Sequence, residues 1–282
     1  MSPTLVAVAH GSRDPRSAAT ISSLVKGVQW LRPDLDVRLA FLDFCAPRLE
    51  TVLATVSRAV VVPLLLGRAF HADVDLPGAV ARAVAAQPEL AVTVADVLGP
   101  DPRLEAAVLR RLAEIGVLPG DARFGVVLAA AGSQEAGSNA AVAAVAQRLT
   151  QHTRWQVVPA FACAAQPTVP DAIASMRASG AQRIAVASWF LAPGLLPDKV
   201  IRLSLSTYRR VLLAAPLGVG YGIAQLIADR YDVATGPGPL SLAPDVSASW
   251  LHWMSPQRTV ARSVVGRPRV ETVLGAPAEG HR

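Results

Sequence analysis

The sequence predicts an α/β fold of two tandem doubly wound lobes, each built on a parallel sheet, followed by an irregular C-terminal tail. Two observations support this prediction. Short apolar segments alternate with helical segments, as expected for successive βαβ units with parallel strands. The same succession occurs twice, because the sequence aligns with itself at a shift of about 120 residues.

The first repeat contains four predicted strands and four predicted helices. Strands are predicted where apolar or β-branched residues are concentrated, near residues 4–9, 36–42, 59–66 and 91–97. Helices are predicted where apolar residues recur with helical spacing, over residues 15–31, 47–57, 74–86 and 102–115. The linker that follows, residues 116–121, contains a Pro-Gly pair that is typical of turns.

Four blocks of residues match between the repeats. They pair residues 6–14 with 127–135, 40–47 with 160–167, 65–71 with 191–197, and Leu98-Gly99 with Leu217-Gly218. One half is therefore a diverged copy of the other. This organisation predicts a lobe over residues 1–118, a second lobe over 119–234 and an extension over 235–282.

Composition limits the function. No apolar run approaches the ~18 residues of a membrane span, and the N-terminus lacks the features of a signal peptide. We therefore expect a soluble, cytoplasmic protein with no membrane partner. The net charge of +6 lies partly in the tail, and no basic helix interleaved with aromatic residues is evident, so nucleic acid is not expected as a partner. Cys45 and Cys163 form no CxxC pair and are expected to be packing residues.

Two histidines follow strands at matching places in the first repeat. His10 lies directly after the first predicted strand, and His71 follows the third. In open α/β sheets, ligands bind outside the carboxyl ends of the strands, where crossovers diverge to opposite faces. Both imidazoles can therefore reach one ligand there, where they can hold a metal or accept protons near neutral pH.

The second repeat has lost both histidines. The alignment places Ala131 opposite His10 and Pro197 opposite His71, whereas the Gly-Ser pair after His10 is kept. A packing role alone would not explain this joint loss. We therefore expect one functional site, in the first lobe.

Asp43 is expected on the same sheet edge, at the end of the second strand, and Cys163 replaces it in the second repeat. Two imidazoles and a carboxylate suit Fe²⁺, Co²⁺ or Ni²⁺ and leave coordination positions open. Asp43 can equally cap the second helix or pair with Arg48.

Three further residues are candidates for binding an anionic group of the ligand. Ser12 and Arg13 lie where a loop enters a helix N-terminus, which favours anions, and Arg68 follows the third predicted strand. Capping of the first helix by Ser12 or Asp14 explains Ser12 about as well.

The sequence resembles the sirohydrochlorin chelatases, a class of tetrapyrrole metal chelatases that use no organic cofactor. In the first half the resemblance rests on residues 10–15 (HGSRDP), 41–43 with Pro47, 60–66 leading to His71, and 98–102. In the second half it rests on residues 187–196 and 215–218. Together these motifs span about residues 4–234.

The resemblance implies two α/β lobes that face each other across a cleft for the macrocycle. The activity it implies is insertion of a divalent metal, first of all Fe²⁺, into sirohydrochlorin to give sirohaem. Cobalt insertion for cobalamin synthesis and a non-catalytic metal or tetrapyrrole carrier are the alternatives. By motif position the family's metal-site histidines fall on His10 and His71, and its acidic residue, usually glutamate, falls on Asp43. Since the two lobes form a pseudo-dimer in one chain, we expect a monomer or a weak homo-oligomer.

Overall fold

The computed structural model describes residues 2–68 and 74–236. His71 and the predicted extension beyond Gly236, including Trp250, lie outside the described residues. The first repeat comprises β1 (Thr4–Ala9), α1 (Pro15–Leu31), β2 (Val37–Phe41), α2 (Leu49–Leu53), β3 (Arg58–Pro63), α3 (Leu76–Ala86), β4 (Ala91–Val94) and α4 (Pro102–Glu114). Each predicted element of this repeat is therefore confirmed in type and order.

The second repeat follows the same succession. It comprises β5 (Phe124–Ala130), α5 (Ala136–Thr153), β6 (Gln156–Phe161), α6 (Val169–Ala178), β7 (Arg183–Ser188), α7 (Leu195–Thr207), β8 (Leu212–Leu213) and α8 (Tyr221–Thr235). No described helix is long and apolar enough to cross a membrane.

Local chemistry explains where α1 begins and which face it buries. The Asp14 side chain accepts a hydrogen bond from the backbone N–H of Arg16 at 2.9 Å, and Pro15 occupies the first helical turn, where its missing N–H is not needed. Buried side chains then recur at helical spacing, at Ile21, Leu24, Val25 and Val28.

Two parallel sheets form, with strand orders β2-β1-β3-β4 and β6-β5-β7-β8. The strand order reverses at the centre of each sheet, between β1 and β3 and between β5 and β7. The crevice outside the carboxyl ends of such central strands is where ligands bind in open α/β sheets. The predicted fold class is confirmed.

Four helices lie between the two sheets. Side chains alternate along β1, so that Leu5 and Ala7 join a core shared by both sheets, whereas Val6 and Val8 pack against α2 and α3 on the outer face. Residues of α1, α4, α5 and α8 complete the shared core, and α6 and α7 cover the outer face of the second sheet. The two repeats are thus built around one common interior.

The last helix of each repeat packs on the other repeat's sheet. Helix α4 contacts β7, and α8 contacts β3. Arg111 on α4 donates to the Leu217 carbonyl at 3.2 Å, and Arg230 on α8 donates to the Leu98 carbonyl at 3.1 Å. Because these arginines and carbonyls occupy matching positions in the two repeats, the exchange is reciprocal.

Candidate functional site

The turn after β1 holds His10 against the end of β2. The His10 carbonyl accepts a hydrogen bond from the Asp43 N–H at 2.8 Å. Gly11 adopts φ +95°, and a Cβ at this position would lie 1.8 Å from the Asp43 carbonyl oxygen. Glycine is therefore required there, and the close approach places His10 and Asp43 at the same sheet edge, as predicted.

Asp43 lies two residues beyond the end of β2. Its carboxylate accepts a hydrogen bond from the Phe44 N–H at 2.9 Å and forms an ion pair with Arg48 at 2.8 Å. These two donors hold the pKa of Asp43 below its ordinary value of 3.8, and the neighbouring His10 lowers it further. Asp43 does not cap α2, whose N-cap residue is Arg48. Of the alternatives considered above, the structure contains the Arg48 pair.

Phe44 contacts two of the predicted site residues, His10 and Arg13, although only its position next to Asp43 could have selected it in the sequence. Its ring meets the His10 ring edge-on, with the centroids 5.8 Å apart, and the Arg13 guanidinium lies 5.2 Å from its centroid. About half of the Phe44 side chain is exposed. The ring therefore presents an apolar surface beside His10.

Of the two residues considered as the N-cap of α1, Ser12 and Asp14, the structure shows Asp14 in that role. The Ser12 hydroxyl instead accepts a hydrogen bond from the Asp14 N–H at 3.1 Å. Cys45 packs against this turn and donates its thiol to the Ser12 carbonyl at 3.1 Å, so its predicted packing role is confirmed. The same prediction is wrong for Cys163, which lies in the turn after β6 and is exposed.

Arg68 lies beyond the carboxyl end of β3 and pairs with Asp96 at 2.8 Å, with both side chains largely exposed. It therefore occupies the expected edge of the sheet. Among residues 2–68 and 74–236, no three or more histidine, cysteine, aspartate or glutamate side chains gather as a metal site. The paired role of His10 and His71 as metal ligands stays a prediction.

A cavity of about 340 Å³ opens at the carboxyl edge of the second sheet. The first repeat contributes Leu66, Gly67 and Pro100 to its wall, and the second repeat contributes the rest. The cavity therefore lies between the carboxyl edges of the two sheets. Nearby, a Cβ added to Gly194 would lie 3.6 Å from the Ser12 hydroxyl, so the second repeat also reaches the turn that carries His10.

Backbone hydrogen bonds correct the alignment of the repeats by one residue in one block. The Leu98 N–H donates to the Leu65 carbonyl, and the equivalent Leu217 N–H donates to the Phe190 carbonyl, both at 2.9 Å. Phe190, rather than Leu191, is thus the counterpart of Leu65. The segments that follow differ in length, because α3 begins at Leu76 and α7 at Leu195, so the pairing of His71 with Pro197 stays a prediction.

Two curated proteins are similar to this chain in sequence. A curated relative, the sirohydrochlorin ferrochelatase of Bacillus subtilis (strain 168), is 26% identical over 208 residues, which cover 72% of this chain and 79% of the relative. The sirohydrochlorin ferrochelatase of Priestia megaterium is 24% identical over 235 residues, which cover 79% and 87%.

Solved structures share the fold. SirB from Bacillus subtilis with Fe³⁺ has a TM-score of 0.69 at 21% identity, with 83% of this chain and 96% of that chain covered. CbiX, described as the terminal enzyme for biosynthesis of sirohaem in denitrifying bacteria, has a TM-score of 0.60 at 21% identity, with 83% and 100% covered.

The family model named CbiX matches this chain twice, at residues 4–115 and at residues 125–234. The two matches coincide with the two repeats, each of which carries one four-stranded parallel sheet. Together they span most of the sequence. The chain therefore belongs to the CbiX family.

Proposed function

We propose that this protein inserts a divalent metal ion into sirohydrochlorin, with the ion and the tetrapyrrole as its substrates. The observation that carries the proposal is the duplicated CbiX match, combined with His10 held beside Asp43 at the carboxyl edge of the central strands. Two curated relatives are named sirohydrochlorin ferrochelatase, so Fe²⁺ is the first ion to test. A SirB structure in complex with cobalt makes Co²⁺ the second.

The reaction requires a hydrated metal ion and a flexible macrocycle to be held together while the pyrrole nitrogens lose their protons and replace the other metal ligands. In our proposal His10 and His71 first hold the ion, and each imidazole accepts a released proton once a ring nitrogen has displaced it from the metal, for which an imidazole is suited near neutral pH. Asp43, ionised at neutral pH, stabilises positive charge beside His10. The protein needs no organic cofactor for these steps.

The substrate carries several carboxylates around its ring, and the first repeat offers groups to bind them. We assign this role to Ser12, Arg13 and Arg68. Guanidinium groups bind carboxylates through paired, charge-assisted hydrogen bonds. The exposed Phe44 ring beside Arg13 adds an apolar surface for the macrocycle.

The decisive experiment mixes the purified protein with metal-free sirohydrochlorin and Fe²⁺ or Co²⁺ under anaerobic conditions and follows the absorption spectrum. We expect turnover beyond one equivalent, faster than in the protein-free control. Stoichiometric uptake without acceleration would contradict the enzyme and indicate a metal or tetrapyrrole carrier.

Variants test the site in the same assay. His10→Ala and His71→Ala should each lower the insertion rate about 100-fold or more, the usual contribution of a positioned acid or base. The thermal transition should persist, because a cleft residue contributes little to the core. His152→Ala is the matched control, since His152 is exposed on α5. Rates within about twofold of the wild type for both site variants, at saturating metal, would refute the site assignment.

A further inference from the structure

The arginines of the second repeat fall into two groups. Arg123, Arg148 and Arg230 form ion pairs with carboxylates, whereas the others form none with any carboxylate among residues 2–68 and 74–236. These other arginines are all exposed, and they are Arg154, Arg177, Arg183, Arg202, Arg209 and Arg210. We call the surface that they form the arginine face.

The second sheet gathers much of the arginine face at one edge. Strands β5 to β8 are parallel, so their amino ends lie together. Arg154 lies two residues before β6, Arg183 begins β7, and Arg209 and Arg210 lie shortly before β8. These guanidinium groups therefore surround the amino edge of the sheet, the edge opposite to the cavity.

Two helices extend the arginine face over the outer side of the sheet. Helices α6 and α7 pack against each other, and the Arg177 guanidinium at the end of α6 lies 5.1 Å from the centroid of the Tyr208 ring that follows α7. Arg202 is exposed on α7, and its neighbours Ile201 and Leu205 are 38% and 42% exposed. Because Ile201 and Leu205 are four residues apart, they share one side of the helix. The arginine face thus includes two exposed aliphatic side chains.

Arginines near the amino edge of the first sheet are neutralised by carboxylates. Arg32 pairs with Asp34 at 2.9 Å and Arg38 pairs with Asp36 at 2.8 Å, both close to the start of β2. The arginine face has no such partners within the described chain. Its like charges repel one another, so carboxylates supplied by another molecule would bind there favourably.

The aliphatic side chains indicate which kind of anionic molecule fits. A nucleic-acid backbone would leave Ile201 and Leu205 in water, whereas a protein interface buries apolar side chains within a polar rim. Binding to a membrane surface requires a broad apolar helix face. Helix α7 buries Pro197 and Val200 on its other side, so only a narrow apolar strip remains exposed. An acidic protein surface therefore matches the arginine face best.

We infer that the arginine face docks an acidic segment of a partner protein, in which carboxylates flank one or two apolar residues. From Arg183 at the start of β7 to Trp189 at the cavity, the chain advances about 20 Å, at ~3.3 Å per strand residue. A partner bound at the amino edge therefore leaves the carboxyl edge of the sheet open. This inference does not depend on the proposed function.

Binding of an acidic helical peptide to the full-length protein tests the inference. The probe is a labelled peptide of glutamate, alanine and leucine, and the same peptide with glutamine in place of glutamate is the neutral control. By fluorescence anisotropy at low salt we expect saturable binding of the acidic peptide only. The affinity should fall as salt is added, because salt screens charges on exposed surfaces. No saturable binding of the acidic peptide would overturn the inference.

A triple variant locates the binding surface. It combines Arg202→Gln, Arg209→Gln and Arg210→Gln, whose native side chains form no hydrogen bond or ion pair with the described chain, so the thermal transition should persist. We expect the Kd for the acidic peptide to rise about tenfold, since three exposed guanidinium–carboxylate contacts together contribute that much.

The matched control removes the same charge from the first repeat. It combines Arg38→Gln, Arg58→Gln and Arg82→Gln, and its Kd should stay within about twofold of the wild type, because general charge attraction falls off beyond a Debye length. An equal rise of Kd in both triple variants would mean that net charge alone attracts the peptide, and would overturn the inference.

A second pair of variants tests the aliphatic contact. Ile201→Ser combined with Leu205→Ser should raise the Kd for the acidic peptide about threefold or more, because apolar burial is lost. Val233→Ser is the control, since Val233 is a 63% exposed aliphatic residue on α8 and should not affect binding. An unchanged Kd in the Ile201 and Leu205 double variant would overturn the assignment to a protein partner.

Two other probes cover the remaining anionic partners. A DNA duplex and vesicles of phosphatidylcholine with phosphatidylglycerol are tested against the wild type and both arginine triple variants. Tighter binding of either probe than of the acidic peptide, lost in the arginine-face variant and kept in the control, would overturn the inference in favour of a nucleic acid or a membrane. Weaker binding of both probes would support it.

Discussion

Gly11 controls the geometry of the His10 turn more directly than any other residue there. Its positive φ and the 1.8 Å approach of a hypothetical Cβ to the Asp43 carbonyl leave no room for a side chain. Gly132 repeats both features in the second repeat, where a Cβ would lie 2.0 Å from the Cys163 carbonyl. The turn has thus kept its shape in both copies, while the functional side chains differ between them.

Gly11→Ala should therefore both destabilise the protein and separate His10 from Asp43. Left-handed backbone alone costs a non-glycine residue of order 1–3 kcal/mol, and the clash adds to this. Gly137→Ala is the control, because Gly137 lies in α5 with nothing within 4 Å of an added Cβ, and the substitution should gain about 0.4–1 kcal/mol. Urea unfolding measures both, and equal effects of the two substitutions would contradict this account.

The exchange of α4 and α8 decides how the two repeats are held together. Tyr231 on α8 donates its hydroxyl to the Pro3 carbonyl at 2.7 Å, and Arg103 on α4 pairs with Asp229 on α8. Inside the interface, Arg148 on α5 pairs at 2.7 Å with Glu105 on α4, whose side chain is buried. Each repeat therefore supplies a helix that packs on the other repeat's sheet, α4 on the second sheet and α8 on the first.

Arg230→Met should weaken this exchange measurably. Arg230 donates to the Val97 carbonyl at 2.8 Å as well as to that of the buried Leu98, and leaving buried acceptors unpaired costs about 1–3 kcal/mol. Arg82→Met is the control, because Arg82 forms an exposed pair with Glu50 whose loss should cost about 0–1 kcal/mol. Free energies of unfolding that do not differ between the two variants would argue against a structural role for the Arg230 contacts.

Arginine supplies nearly all of the positive charge of the molecule, and many aspartates pair with an arginine two residues away. Among these pairs are Asp14 with Arg16, Asp34 with Arg32, Asp36 with Arg38 and Asp121 with Arg123. In each of these four pairs the arginine lowers the pKa of the aspartate, and the pKa of Asp121 falls to about 2. These four carboxylates are therefore ionised at neutral pH.

These pairs predict a specific acid sensitivity. Because the pKa of Asp121 is lower in the folded state than its ordinary value of 3.8, its contribution to stability is present above about pH 4 and is lost as the pH falls towards 2. Asp121→Asn should lower the Tm at about pH 6, and the difference from the wild type should shrink as the pH falls through about 2. Adding about 1 M salt should shrink the difference, since the pair is solvent-accessible. A difference that persists at the lowest pH would exclude this titration as its cause.

The sequence by itself determined the succession of strands and helices, the duplication and the sheet edge that carries His10 and Asp43. These features follow from local information, since strand and helix periodicity, helix caps and turn glycines act within a few residues of one another. The position of His10 after β1 was sufficient to place it at that edge, because the carboxyl ends of parallel strands lie together.

Only the tertiary structure decided which surfaces meet. The apolar stripe of α4 predicts a buried face but not its partner, and the structure places that face against the other repeat's sheet. The exposure of Cys163 and the cavity between the carboxyl edges of the two sheets likewise depend on residues far apart in the chain or on the space left between them. A local sequence pattern is compatible with many different long-range contacts. The packing of the whole chain selects among them, and for that reason only the tertiary structure shows which contacts form.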